Sequence, residues 1–286
     1  MKKISFLLAV LMILSCVACG AEPTPTETTA PKATVPATTA PAPTETTVPP
    51  TTVPEETEPP LVTIYIPEVM TVHMPDGTLY ATITYDFEEG WQEKESFTVT
   101  YGGDAALMGL IGTITYADRA ITIELEGINR TVTQYDENGR VSRQDITYLM
   151  ATAQVDKNET EMTYDEYGRV VTIKSTLYNK GQENPSVDWQ DYTYVEIEEG
   201  SLGTYVMSNI TNEREYDKDY RLIAQNTLQN GQVISRTEFV YDEFGNQINQ
   251  ITFSFGQKAM EMRTTYIAVE VSPDVADRLP TFVKVK

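Results

Sequence analysis

His73 is the single histidine of the chain. A Ser-His-Asp triad would have to use it, and no Gly-x-Ser-x-Gly elbow is present to raise a nucleophile. One histidine also cannot build a histidine metal cluster. Carboxylates are the other reactive groups, and they come in short pairs: Asp136-Glu137, Asp165-Glu166, Asp217-Lys218-Asp219 and Asp242-Glu243. A calcium site needs about six to eight oxygens from a shaped loop. Each pair supplies too few, and no DxDxDG-type loop appears. Glycoside hydrolysis needs only two carboxylates flanking a bond. From Leu61 onward there are 36 acidic residues, so the sequence singles out no pair. Trp91 and Trp189, with Tyr192 and Tyr194, are the side chains that could form an aromatic strip against a sugar or other ligand. The same residues also suit cross-strand packing. The sequence therefore names no catalytic residue, no cofactor and no metal.

The carboxylate pairs belong to a recurring unit, and the unit explains them better than chemistry does. Tyr135-Asp136-Glu137-Asn138-Gly139-Arg140-Val141 returns as Tyr164-Asp165-Glu166-Tyr167-Gly168-Arg169-Val170. Looser copies are Tyr216-Asp217-Lys218-Asp219-Tyr220-Arg221-Leu222 and Tyr241-Asp242-Glu243-Phe244-Gly245-Asn246-Gln247. The Asp side chain can accept backbone N–H bonds two or so residues on, which makes a turn. Gly139, Gly168 and Gly245 supply a φ > 0 position from which a strand restarts through a bulge. Each unit thus predicts a hairpin turn, with Tyr ending the incoming strand. Tyr220 stands at the glycine position of the third unit, so a different turn geometry is expected there. Tyr85-Asp86-Phe87-Glu88-Glu89-Gly90 reads as a weaker relative, one residue longer.

These residues resemble the YD repeat of the RHS family, whose signature runs Tyr-Asp, two variable residues, Gly-Arg-Leu/Val. Two of the four units match it in full, and the likeness covers roughly residues 130–255. In long RHS proteins the repeats wind into a hollow β-shell around cargo. The copies here are too few for that shell, so the resemblance implies antiparallel strands in sequence order and nothing about toxin delivery.

The ends of the chain speak of location. Lys2 and Lys3 precede an apolar run, Ile4 to Leu14, too short to span a bilayer, so residues 1–18 read as a signal peptide. Leu14-Ser15-Cys16-Val17-Ala18-Cys19-Gly20 resembles a bacterial lipobox. That implies lipidation of Cys19, with Cys16 as the competing site. No other cysteine exists, so the mature domain has no disulfide. A diacylglycerol anchor carries two acyl chains, enough for stable attachment. Residues 19–60 are a Thr/Pro-rich tract holding eleven of the sixteen prolines. It lacks the apolar surface to fold and would be an extended stalk of on the order of 100 Å. Together these features predict a lipid-anchored protein on the extracytoplasmic face of a Gram-positive type cell membrane.

Residues 61–286 are left as one folded domain. They carry 18 basic and 36 acidic residues, which argues against nucleic acid or anionic lipid as partner. Apolar alternation and turn signals about a dozen residues apart predict an all-β fold: an antiparallel β-meander built from YD-type hairpins, curved or half-open, with one or two short helices. The helix candidates are 105–111 and a segment capped by Ser272 with Pro273 in its first turn. Thr252, Ser254 and Thr264 fall on faces that should be buried, which suits an open sheet better than a packed sandwich. The loop 179–186 interrupts the repeat rhythm and is the first place to look for binding. The expected role is a non-catalytic binding domain for a cell-wall polymer, glycan or protein. Two rivals are a carrier cradling an acyl chain or client on a continuous apolar face, and a carboxylate-dependent hydrolase.

Overall fold

The computed structural model describes residues 59–104, 109–117, 119–279 and 284–285. The signal peptide, Cys19 and nearly all of the stalk lie outside the described residues. So does most of the helix candidate 105–111, whose last residue, Ile111, opens a strand.

The fold is all-β and antiparallel, an 18-stranded sheet. Its first half comprises β1 (Val62–His73), β2 (Leu79–Asp86), β3 (Ser96–Gly103), β4 (Ile111–Ala117), β5 (Ala120–Leu125), β6 (Asn129–Tyr135), β7 (Val141–Tyr148), β8 (Val155–Tyr164) and β9 (Val170–Asn179). There follow β10 (Ser186–Asp191), β11 (Thr193–Ile197), β12 (Gly200–Met207), β13 (Ile210–Tyr216), β14 (Leu222–Gln229), β15 (Gln232–Tyr241), β16 (Gln247–Ser254), β17 (Gln257–Val271) and the short β18 (Lys284–Val285). Two short helices are described, α1 (Trp91–Lys94) and α2 (Pro273–Arg278). As expected, α2 opens with Ser272, whose side chain accepts from the Val275 N–H, and with Pro273 in its first turn.

From β1 to β10 and from β11 to β17 each strand pairs with the next in sequence, β18 pairs with β1, and the two ends of the meander meet. β1 runs antiparallel to β17 from Val62↔Val271 to His73↔Glu261. The curved sheet is therefore a nearly closed barrel. Its one irregular seam lies at β10 and β11, a single ribbon interrupted at Tyr192. β10 pairs only with β9, and β11 only with β12.

An up-and-down ring places alternate turns at alternate ends. The β6–β7, β8–β9, β13–β14 and β15–β16 connections fall at the same end, and these are the four Tyr-Asp units. All four share one hydrogen-bond pattern. Asp136 Oδ1 accepts from the N–H groups of Asn138 (2.9 Å) and Arg140 (2.8 Å), and Oδ2 accepts from Arg140 Nε (2.8 Å). Asp165, Asp217 and Asp242 repeat these bonds, with Arg169, Arg221 and Asn246 as the side-chain partners. A register shift follows every one of the four turns. Gly139, Gly168 and Gly245 hold φ of 73°, 82° and 80°. Tyr220 corrects the expectation of a different geometry: it sits at φ 60° in the same turn, with its N–H bonded to Asp217 O at 3.0 Å. Its ring stacks on Tyr167 of the neighbouring unit at 4.8 Å, a contact that offsets the backbone cost. The Tyr85-Asp86 segment is not a turn of this kind. It leads into α1, and Asp86 accepts from Thr100 Oγ1 across the sheet.

One face of β1 to β7 and β17 holds the main buried cluster, including Ile66, Met70, Ile83, Val99, Leu125 and Met262. These strands bury that face with no second sheet, so it is the concave side. α1 and α2 pack at the Tyr-Asp end of this sector, through Trp91, Val275 and Ala276. Arg278 of α2 pairs with Glu95 beside α1.

Asp165→Ala should lower stability by about 3 kcal/mol, since it strips three bonds and leaves the buried Arg169 guanidinium short of an anion. Asp242→Ala, whose side-chain partner is the neutral Asn246, should cost about 1–2 kcal/mol. Urea unfolding of the two variants checks the order.

Candidate functional site

A closed antiparallel ring of about sixteen ribbons is wider than its own side chains can fill. The buried cluster fills the sector under β1 to β7. The rest of the concave wall can be traced by register, because directly opposed residues share a face. One row starts at the core residue Ile121 and runs Thr133, Gln144, Thr160, Ser175, Asp188 across five neighbouring strands. A second starts at the core residue Met260 and runs Thr252, Thr237, Gln225, Arg214. A third follows beside it: Ser254, Ser235, Thr227, Asn212. Most of these residues are half-buried, so water reaches them inside the ring. Several bond one another: Gln144 Nε2 donates to Thr133 Oγ1 (3.2 Å), Thr227 Oγ1 donates to Asn212 Oδ1 (3.1 Å), and Thr237 and Thr252 hydroxyls lie 3.3 Å apart. The lumen is thus lined on this side by neutral hydroxyls and amides, with Asp188 and Arg214 as its charged members in these rows.

The Tyr-Asp end of the lumen is floored by tyrosines. Tyr164, Tyr194, Tyr241 and Tyr266 donate to the carbonyls of Val141 (2.7 Å), Val170 (2.6 Å), Leu222 (2.8 Å) and Gln247 (3.2 Å). Each of these carbonyls belongs to the residue that closes a Tyr-Asp unit, and each tyrosine stands on the adjacent antiparallel ribbon. The turn arginines lie against the same rings: Arg140 is 4.7 Å from the Tyr164 centroid, and Arg169 is 4.4 Å from that of Tyr194. Burial pushes the Tyr85, Tyr194 and Tyr266 phenols well up, and takes Tyr101 up to about 12. These phenols stay protonated donors, so this end acts as a neutral plug.

The convex wall is different in kind. Arg143 pairs with Asp145, Glu159 and Glu161, and Lys157 pairs with Asp145 and Glu159. Arg236 pairs with Glu215 and Glu238, and Glu261 with Lys258 and Arg263. Lys157 holds the Glu159 carboxyl below its ordinary range, and Arg236 does the same for Glu215. Arg263 and Lys258 bring Glu261 down to about 2. A lipid-facing barrel needs an apolar outer band, where a charge costs about 2–4 kcal/mol at mid-bilayer. This wall carries ion pairs instead and faces water.

The aromatic strip that the sequence left open beside cross-strand packing does not form. Trp91 is 7% exposed and packs edge-on against Phe87, Phe97 and Tyr116 in the core. Trp189 and Tyr192 are an odd number of residues apart and point to opposite faces of one ribbon. Trp189 is 54% exposed outside, under Lys174, while Tyr192 is buried inside against Tyr205, with Arg214 over its ring. His73 lies on β1, bonded to Thr71 Oγ1 at 3.0 Å and close to the Gly77 carbonyl. The turn carboxylates of Asp136, Asp165, Asp217 and Asp242 are spent on their own turns. The sequence reading missed the inner rows and the tyrosine bonds. A signal for the rows existed in the hydroxyl and amide residues on alternate positions of β8, β9, β14 and β15, seen there only for Thr252, Ser254 and Thr264.

Comparison with known proteins adds little to this geometry. No family model matches the chain, and no curated protein matches it. Among solved structures it is similar to a porin-like protein from Bacteroides uniformis, at 10% identity and TM-score 0.34 over 74% of this chain and 99% of that one. A domain named for outer membrane lipoprotein sorting, from Vibrio parahaemolyticus, aligns at 8% identity and TM-score 0.29 over 74% and 86% of the two chains. An exported protein with a YmcC-like fold from Bacteroides fragilis aligns at 11% identity and TM-score 0.24 over 70% and 93%. Scores this low carry no argument about what the chain does.

Glu261 gives the acid response a defined sign. Its carboxyl is held at about 2 in the fold against an ordinary 4.5, so its stabilisation is complete above 4.5 and fades as pH falls from there through about 2. Glu261→Gln should melt a few degrees lower at pH 7, from a loss on the order of 1–2 kcal/mol. That gap should close on acidification to about pH 2, read by thermal scans of both proteins.

Proposed function

We propose that this is a non-catalytic binding domain, held outside the cell membrane by a lipidated Cys19 and a Thr/Pro stalk, whose barrel lumen takes a neutral, hydroxyl-rich polymer such as a wall glycan. The observation that carries the reading is the lining. Thr160, Ser175, Gln225, Thr227, Thr237 and Thr252 offer both donors and acceptors and little net charge. A sugar hydroxyl can exchange bonds with such groups, whereas an anionic chain would find no net positive charge in these rows, Arg214 being balanced in number by Asp188. An acyl chain would desolvate them without replacing their bonds, and the apolar sector that would suit it is already filled by the chain's own core. The lining therefore favours a polar occupant over a lipid one. We take the four Tyr-Asp units to be YD-type turns used to build and plug one end of the barrel.

Neutral soluble wall-glycan oligosaccharides, titrated by calorimetry against the 61–286 domain with anionic teichoic-acid fragments as the control that should not bind, test this. The expected result is saturable binding that Thr237→Val with Thr252→Val weakens at least fivefold, each lost hydroxyl contact being worth about 0.5–1.5 kcal/mol. Turnover of any of these fragments, or binding untouched by the two valines, would sink it.

A further inference from the structure

The seam at β10 leaves a gap in an otherwise paired wall. β10 pairs with β9 through Ser186↔Leu177 to Asp191↔Thr172. On its other side no strand is bonded to it among the described residues: β12 pairs with β11 only as far as Thr204↔Thr193, and its last residues pair with β13 alone. The direction of the free groups follows from one bond. The Tyr192 N–H donates to Val171 O on β9 at 2.8 Å. Backbone groups alternate along a strand, so those of Val187, Trp189 and Asp191 point away from β9, into the gap. Val206 and Met207 flank its far side and are 62% and 49% exposed. The gap is narrow. Tyr192 and Tyr205 rings are 5.9 Å apart, and burial and then the carboxylates of Asp188 and Asp191 push the Tyr205 phenol up. An unpaired edge in a soluble protein is ordinarily blunted by lysine, proline or a bulge. β10 carries no lysine, proline or bulge; its six-residue length and the negative charge of Asp188 and Asp191 are what guard it.

We propose that the free edge of β10 receives an extended, lysine- or arginine-bearing segment of another protein as an added strand. This is independent of what the lumen holds. Charge selects the occupant. Residues 181–200 contain six acidic residues (Glu183, Asp188, Asp191, Glu196, Glu198, Glu199) and no Lys or Arg. Asp188 bonds the neutral Gln190 and Asp191 the neutral Thr172, so neither carboxylate is matched by a cation there. A second copy would set Asp188 and Asp191 against their own kind, which disfavours self-pairing. The chain's own stalk fits no better: residues 21–60 hold eleven prolines, which cannot donate to a ladder, and six acidic residues against Lys32. An incoming cationic strand would gain main-chain bonds from Val187, Trp189 and Asp191 and side-chain contacts with the two aspartates and Val206.

A fluorescein-labelled (Lys-Val)4 peptide, with (Glu-Val)4 as its opposite, tests the edge by anisotropy on the 61–286 domain. (Lys-Val)4 should bind, protect the Val187, Trp189 and Asp191 amides from hydrogen exchange, and lose affinity with added salt. Val187→Pro deletes one gap-facing N–H without touching a β9 bond and should weaken binding at least tenfold. Should that variant misfold, (Lys-Val)4 methylated on alternate backbone nitrogens serves with the native protein and should fail to bind. Equal binding of the acidic peptide, retained affinity in Val187→Pro or for the methylated peptide, self-association at β10, unprotected amides, or no binding of (Lys-Val)4 would each overturn the proposal.

Discussion

A bulge after a tight turn strands a carbonyl, and this protein solves that problem the same way four times. Each Tyr-Asp turn restarts its outgoing strand one residue out of register, which leaves a backbone group without a ladder partner. The phenol of a tyrosine on the adjacent antiparallel ribbon reaches across to the carbonyl that closes the unit. The Asp carboxylate fixes the turn, the arginine or asparagine four residues on is fixed by the carboxylate, and the guanidinium in turn lies on the tyrosine ring. Turn, bulge and neighbouring strand therefore hold one another, and the aligned tyrosines become the floor of the barrel. Gly203 on β12 belongs to the same device. A Cβ there would fall 2.4 Å from the Tyr194 ring, so a bare backbone is what lets that ring lie over its neighbour.

Much of the architecture was legible in the sequence because the turn chemistry is local. Asp, Gly and their spacing report on backbone bonds made within five residues, and those do not depend on the rest of the fold. What was not legible is non-local. Tyr194 and Tyr266 make the same bond as Tyr164 and Tyr241 but follow no Tyr-Asp dipeptide, so nothing beside them in sequence marks them. Tyr220 was misread for a related reason: its cost is local, while its compensation, the Tyr167 ring, arrives from another turn. Trp91 and Trp189 look alike in composition, and only the curl of the sheet puts one in the core and the other outside. Closure itself could not be read, because the pairing of β1 with β17 joins the two ends of the domain.

The two faces of the wall divide the work. Ion pairs cover the convex side along β7 and β8 and again from β13 to β17. On the concave side a hydrophobic sector provides stability, and the rows of hydroxyls and amides opposite it leave a wet interior. The contrast is plainest in β8, β13 and β15. Both of their faces are polar, for opposite reasons, so the two-residue period carries little amplitude there.

The way the ring shuts has a consequence for how such a chain matures. Thr265 reaches the carbonyl of Val69 across 196 residues of sequence. A strand made early must wait, with a dozen residues along one bare edge, until nearly the whole polypeptide has followed. Pairing this remote is slow and leaves adhesive intermediates. The surplus of carboxylates then has a second use: unfinished copies repel each other until the last long strand arrives to seal the first.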